Sequence, residues 1–325
     1  MIYGVLPSCD IVETPYMNDN NISPIDTTTF VKKVLIEDFT GHRCQNCPDA
    51  AAELSSLQDF YGDQVIGLAI HPNTSFAIPS PLSASSYTYD FRTQWGNEID
   101  NIFDISSVGL PRGMVNRIGF NSNHRLGKDE WAAVVQSELE KEPIFGITLN
   151  SDLQSNSLKN NGTISVEVSS LKNISEQYNI VICLTENGIV NWQKHTTDIE
   201  NYEHNHVLRT VLNTTIGESI GNSFTIGDKW IKDYIVDIGS LEQYNIDYSL
   251  NNLNLGNGNA GGWIIENMEV LAYIYNISTK ETPWEFTNKK NKDLKNNPVM
   301  NTTDGVPVRM AVNTAQYGRV FEDRT

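Results

Sequence analysis

The sequence predicts two folded units in series: an α/β unit over residues 29–142, then an all-β antiparallel sandwich over residues 143–325, with residues 1–28 left as a leader remnant and tether. Three observations carry this division. The 325 residues are more than a single hydrophobic core usually organises. In the first half a strand, helix, strand pattern surrounds a C-x-x-C pair, Cys44 and Cys47. Beyond Pro143 the pattern changes to short alternating runs separated by Asn, Gly and Ser, the signature of antiparallel strands with polar turns.

Composition narrows the function classes. Apolar residues make up 39% of the chain and aromatic residues 9%, enough to build cores. The 23 Lys and Arg against 40 Asp and Glu leave a formal net charge of −17. Such a surface repels phosphate backbones, so nucleic acid is excluded as a nonspecific partner. No apolar run approaches the roughly 18 to 20 residues of a spanning helix, so any membrane connection is expected to be an anchor. No cofactor is expected.

At the N-terminus, residues 1–10 (MIYGVLPSCD) lack a positive n-region and read as the end of a signal that starts upstream. Leu6, Pro7, Ser8 and Cys9 resemble a bacterial lipobox, which implies lipidation at Cys9; the alternative is a stray cysteine in a tail. Residues 10–29, rich in Asn, Asp, Pro and Thr without periodicity, suit a tether between anchor and folded body. Acyl chains at about 0.8 kcal/mol per buried CH₂ would hold such a protein at a membrane without a spanning helix.

The α/β unit opens with residues 31–39 (VKKVLIEDF), a β-branched run of strand length that Thr40 and Gly41 break before Cys44. A helix follows: Pro48 and Asp49 suit a first turn, Ala51, Ala52, Leu54, Leu57 and Phe60 recur at helical spacing, and Gly62 ends it. Residues 65–70 (VIGLAI) read as a buried parallel strand, which completes a βαβ unit. After a long polar insertion, residues 87–104 carry Phe91, Trp95, Ile99 and Phe103 at helical spacing. Gly109, Leu110 and Pro111 turn into a strand over residues 114–118, and an amphipathic helix over residues 128–141 closes the unit.

C-x-x-C beside a βαβ pattern signals a redox site of thioredoxin type. A cysteine at a helix N-terminus has its thiolate stabilised by the helix dipole and free N–H groups, and a second cysteine three residues on can close a disulfide with it. Lowering a thiol pKa from about 8.5 to about 7 raises the thiolate fraction at neutral pH roughly 15-fold. Arg43 and His42 stand beside Cys44 to lower it further, so Cys44 is the expected nucleophile and Cys47 the resolving thiol.

The resemblance to thioredoxins then becomes specific. Asp38, six residues before Cys44 and followed by Phe39, is similar to the Asp-Phe of thioredoxins, which implies a buried acid assisting proton transfer at the second cysteine. Gly109-Leu110-Pro111 resembles the loop whose cis proline faces the C-x-x-C, so Pro111 joins the expected site. Arg43, Gln45 and Asn46 depart from the Trp and Gly-Pro of thioredoxins, so redox potential and partner do not carry over. A structural disulfide is the competing reading.

A soft-metal alternative also stays open. His71 follows the second strand at the sheet edge that presents Cys44, so His42, Cys44, Cys47 and His71 are candidate ligands for Cu or Zn. In the second unit, strands are expected at residues 145–149, 162–168, 178–185, 206–212, 223–226, 234–237 and 268–275. His204 and His206 alternate there on one expected strand face beside Glu203, a weak metal candidate, and Cys183 reads as a small buried hydrophobe.

Taken together, the lipobox, VLIEDFTGHRCQNCPDAA, VGLPRGMVNR and EHNHVLR resemble the Bacteroidetes lipoprotein family named after a 28 kDa outer membrane protein. The resemblance implies a thioredoxin-like domain, a β-sandwich, and a lipid anchor in the outer membrane facing the periplasm or the cell surface. The expected function is thiol–disulfide exchange with an envelope or surface protein through Cys44 and Cys47. The alternative is a non-catalytic binding or adhesion lipoprotein that uses its sandwich loops.

Overall fold

The computed structural model describes residues 30–153, 161–251, 255–282 and 286–290; Cys9 and the expected tether lie outside them. In the first half, β1 (Val34–Phe39) leads through a turn into α1 (Cys47–Tyr61), followed by β2 (Val65–Ile70), α2 (Gln94–Phe103), β3 (Arg112–Val115) and α3 (Lys128–Leu139). Both β1 and β2 are buried along their whole length and pair in parallel from Val34↔Val65 to Phe39↔Ile70, as continuous apolar runs require. Pro48 sits in the first turn of α1, Ala50, Leu54 and Leu57 form its buried stripe, and Gly62, with φ 62°, ends it. The strand β3 runs antiparallel to β1.

The second half supplies β4 (Phe145–Leu153), β5 (Asn161–Ser170), β6 (Tyr178–Glu186), β7 (Ile189–Lys194), β8 (Asp198–His204), β9 (Val207–Val211), β10 (Glu218–Gly221), β11 (Lys229–Asp237), α4 (Ile238–Asn251), β12 (Met268–Asn276) and β13 (Phe286–Lys290). An eight-stranded sheet runs β13-β12-β6-β9-β2-β1-β3, with β10 also on β6. The strands β11, β5 and β4 make a second sheet, and β7 and β8 a separate two-stranded one. The large sheet crosses from one half of the chain to the other at β2 and β9, where Ala69 pairs in parallel with Val207 and its N–H donates to the His206 carbonyl at 2.8 Å.

Side-chain alternation assigns the layers. Leu35, Ile66 and Leu68 share one buried cluster with Trp95, Ile99 and Phe103 of α2 and with Val181, Cys183, Leu271 and Tyr273. One face of the large sheet therefore spans both halves under α2. On the opposite face, Val34, Ile36 and Val65 meet Leu54, Leu57, Trp131 and Val135 of α1 and α3. Further along, Ile180, Ile182, Leu184, Val270 and Ile274 meet Phe145, Leu149, Ile164 and Val166 of the three-stranded sheet. Gly67 on β2 marks how tightly the parts approach: a Cβ there would stand 2.7 Å from Leu54 Cδ2 and 2.9 Å from the His206 ring.

The mostly β architecture with a few helices agrees with the sequence, and three expectations change. The second half is not purely antiparallel and all-β: α4 follows Asp237, whose carboxylate accepts from the Ser240 N–H and hydroxyl, and the β2–β9 bridge is parallel. The expected strand at residues 223–226 is reduced to one bridge, Ile174↔Phe224. The expected helix over residues 87–104 begins only at Gln94, because Thr93 is extended and its hydroxyl accepts from the Gly96 N–H at 2.9 Å.

A buried charge pair ties the layers together. Arg117 donates to both oxygens of Glu37 on β1, at 2.7 and 2.6 Å, and to the Tyr273 hydroxyl on β12 at 2.7 Å. Phe103, Tyr273 and Tyr275 surround the guanidinium, and both charged side chains are 1% exposed. Removing one partner strands the other charge in the core, so Glu37→Gln is expected to lower unfolding free energy by about 3–5 kcal/mol in urea denaturation. A loss below about 1 kcal/mol would show that Arg117 finds another partner.

Candidate redox site

The site grows from the turn that follows β1. Thr40 N–H donates to the Ile70 carbonyl at 2.9 Å, which holds the chain at the end of β2. Only glycine fits next, since a Cβ on Gly41 would lie 2.5 Å from the Phe76 carbonyl oxygen. The Arg43 N–H also donates to that carbonyl, at 2.9 Å, and the Cys44 N–H to Gly41 at 2.9 Å. Cys44 thus sits in the turn, and α1 begins at Cys47 itself. The two cysteines form a disulfide, with their Cα atoms 5.4 Å apart.

Asp38 and Pro111 stand at the same end of the sheet. Asp38 pairs with Gly113 and Phe39 with Arg112, so Pro111, after a cis Leu110–Pro111 bond, enters beside the end of β1. Asp38 is buried, and its Oδ1 lacks a hydrogen-bond partner among the described residues. Burial alone pushes its carboxyl up from 3.8 to about 7.

The expected electrostatic help for Cys44 is altered. His42 is fully buried, with its ring centroid 5.5 Å from Tyr87 and 5.6 Å from Phe91, and burial pushes it down to about 4. It is therefore neutral at pH 7 and supplies no positive charge to a thiolate. Arg43 is directed to the Ser80 hydroxyl and lies 5.8 Å over the Tyr87 ring.

The metal candidates do not converge. His71 stacks on Phe91 at 4.8 Å, and His204 lies 4.4 Å from Phe91 and 6.3 Å from His71, so three imidazoles surround one phenyl ring. Among the described residues no group of three or more His, Cys, Asp or Glu side chains is placed to hold a metal ion. Burial pushes His204 down to about 3 and His71 well below its usual range. His204 and His206 do not share a strand face either, because β8 ends at His204 and His206 turns with φ 57° to place its Nε2 3.1 Å from Gln58 Oε1. Cys183 is a free, fully buried thiol whose pKa burial raises.

The sequence reading missed the β7–β8 hairpin, which is fastened to the turn that carries the buried disulfide. Cys44 is 2% exposed and Cys47 1%, and the β7–β8 hairpin binds the turn that carries Cys44. Lys194 N–H donates to the His42 carbonyl at 2.7 Å. The Gln193 side-chain amide, itself buried, donates to the Cys44 carbonyl at 3.1 Å and to Gly41 at 3.3 Å. His195 Nε2 lies 3.2 Å from Asp49 Oδ1 in the first turn of α1, and Trp192 meets Tyr87 at 5.9 Å. The available signal was two polar-and-apolar runs flanking the Thr196, Thr197, Asp198 turn.

Residues 97–253 match the family of outer membrane protein Omp28, a span that includes the hairpin and starts after the disulfide. HBP35 of Porphyromonas gingivalis has a similar fold, with a TM-score of 0.58 at 15% identity over 86% of this chain and 81% of that one. A protein of Agrobacterium tumefaciens aligns at a TM-score of 0.44 and 11% identity, covering 80% of this chain and 95% of its own. No curated protein matches the chain. The family match agrees with the outer membrane as the location expected from the sequence.

Proposed function

We propose that residues 29–142 form a thioredoxin-like unit that exchanges disulfides with a partner protein of the cell envelope, on a chain anchored to the outer membrane by lipid at Cys9. One observation carries this reading. A Cys44–Cys47 disulfide at the start of α1 stands at the same sheet end as cis Pro111 and the buried carboxyl of Asp38, raised to about 7.

From the oxidised state the steps follow. A thiolate of a partner dithiol attacks Cys44 Sγ, the Cys44–Cys47 bond breaks, and Cys47 leaves as a thiolate that takes the proton held by Asp38. The partner's second thiol, losing its proton, attacks the mixed disulfide and releases Cys44 as a thiolate. Two electrons pass from the partner dithiol to the cysteine pair, the proton lost by the partner's second thiol restores Asp38, Cys44 is left as a thiolate and Cys47 as a thiol, and the partner gains a disulfide. Every step is reversible, so the relative potentials of the pair and its partner set the direction.

A second reading, a structural disulfide in a non-catalytic surface protein, draws support from the near-complete burial of both cysteines. Trapping separates the two. Cys47→Ser leaves Cys44 unable to resolve, and non-reducing gels of the cell envelope should show adducts that a Cys44→Ser, Cys47→Ser variant lacks. Absence of adducts together with a pair potential below about −300 mV would leave the structural reading standing.

Asp38 offers a second test with a defined sign. Between about 4 and about 7 the folded chain keeps a proton that the unfolded chain has lost, so this carboxyl lowers stability as pH rises through that window. Asp38→Asn should be more stable than the parent at pH 8, by on the order of 2–4 kcal/mol, and nearly equal to it at pH 4. Parallel stability curves in urea across that range would remove Asp38 as the proton store.

A further inference from the structure

The hairpin of β7 and β8 belongs to neither of the larger sheets, and its strands bury little. In β7 only Gln193 is buried, and in β8 only His204; Val190 is 57% exposed. The hairpin's ring and apolar contacts gather toward the base, His204 on Phe91 and Ile189 beside Tyr89 and Val207, with Trp192 near Tyr87, while the end at Gln193 to His195 is fastened by polar bonds, which places that end among the parts of a fold that open most readily. Those bonds fall on the turn that presents the disulfide: Lys194 N–H to the His42 carbonyl, the Gln193 amide to the Gly41 and Cys44 carbonyls, and His195 to Asp49.

We propose that the β7–β8 hairpin is a latch that closes over the Cys44–Cys47 disulfide from the other half of the chain and lifts to admit a partner thiol. Lifting frees the His42 carbonyl and removes one of the bonds to the Gly41 and Cys44 carbonyls, which keep the Cys44 and Cys47 N–H groups, and water or the N–H groups of an extended partner segment then take the vacated positions. The partner this surface fits is an extended polypeptide bearing a dithiol, which takes over hydrogen bonds that the hairpin makes in the closed state. The latch thereby keeps the disulfide from small thiols that offer no such replacement. Its purpose rests on the exchange reading; its mechanics do not.

The test is the rate at which the full chain's disulfide is reduced by dithiothreitol, followed by acid quench, alkylation and mass measurement. In the parent the rate should level off at high dithiothreitol, limited by hairpin opening. Gln193→Ala, and more so Gln193→Ala with His195→Ala, should speed reduction about tenfold or more, since each lost hydrogen bond removes about 1 kcal/mol from the closed state. Hydrogen exchange supplies a readout without substitution: the Lys194 amide should exchange well before the amides of β1 and β2.

Two results would overturn the latch: a parent rate that rises linearly with dithiothreitol and that neither variant raises, or a Lys194 amide that exchanges only with global unfolding. A pair potential below about −300 mV would instead end the exchange reading and leave the opening rates as evidence for the latch.

Discussion

The position of one guanidinium organises much of this structure. Arg117 lies inside the protein with its charge matched by Glu37 and its remaining surface enclosed by Phe103, Tyr273 and Tyr275. A buried ion pair contributes little net stability over an apolar substitute, yet breaking it is costly, so it favours one arrangement of its surroundings over others. Here those surroundings are β1, α2 and β12, drawn from both halves of the chain. A second pair repeats the device: Arg209 on β9 bonds Glu186 on β6 and the Tyr89 hydroxyl, with Trp263 beside it. Together the two arginines fix the join where the large sheet passes from one half to the other.

Much of the fold was legible because its central strands are continuous apolar runs. VIGLAI over residues 65–70 coincides with β2, and residues 178–185 fall within β6, since burial on both faces leaves no polar interruption to blur the ends. What was missed buries few residues. The helix α4 buries Ile238, Asn245 and Ser249, two of them polar, so no apolar stripe announces it. The hairpin escaped notice for the same reason, as its one buried β7 residue is a glutamine. At residues 87–93 the aromatic spacing suggested helix, while Tyr89 and Phe91 are buried in a segment without regular secondary structure.

The site was legible in its parts and not in its enclosure. Cys44 and Cys47 announce themselves by their spacing, and Asp38 and Pro111 entered the expected site through the resemblance to thioredoxins. The hairpin fastened to the disulfide turn comes from about 150 residues downstream, a separation that no local pattern encodes. Protonation states depend on the same enclosure: His42 looks like a cationic neighbour of Cys44 in sequence and is a neutral core residue in the fold. The family match to residues 97–253 falls on the part of the chain that provides the hairpin, while the cysteines lie before it.

The three imidazoles around Phe91 give the molecule an acid limit. An unfolded chain takes up protons on its histidines near pH 6.5, whereas His42 resists until about 4, His204 until about 3, and His71 to well below its usual range. Each proton accepted only by the unfolded form favours unfolding, so stability drains away as pH falls below 6.5, with Asp38 offsetting part of the loss. All three rings lie close to the disulfide turn and the hairpin fastened to it. Acidification therefore loads this corner of the protein with charge that its burial opposes, where a neutral medium leaves all three rings uncharged.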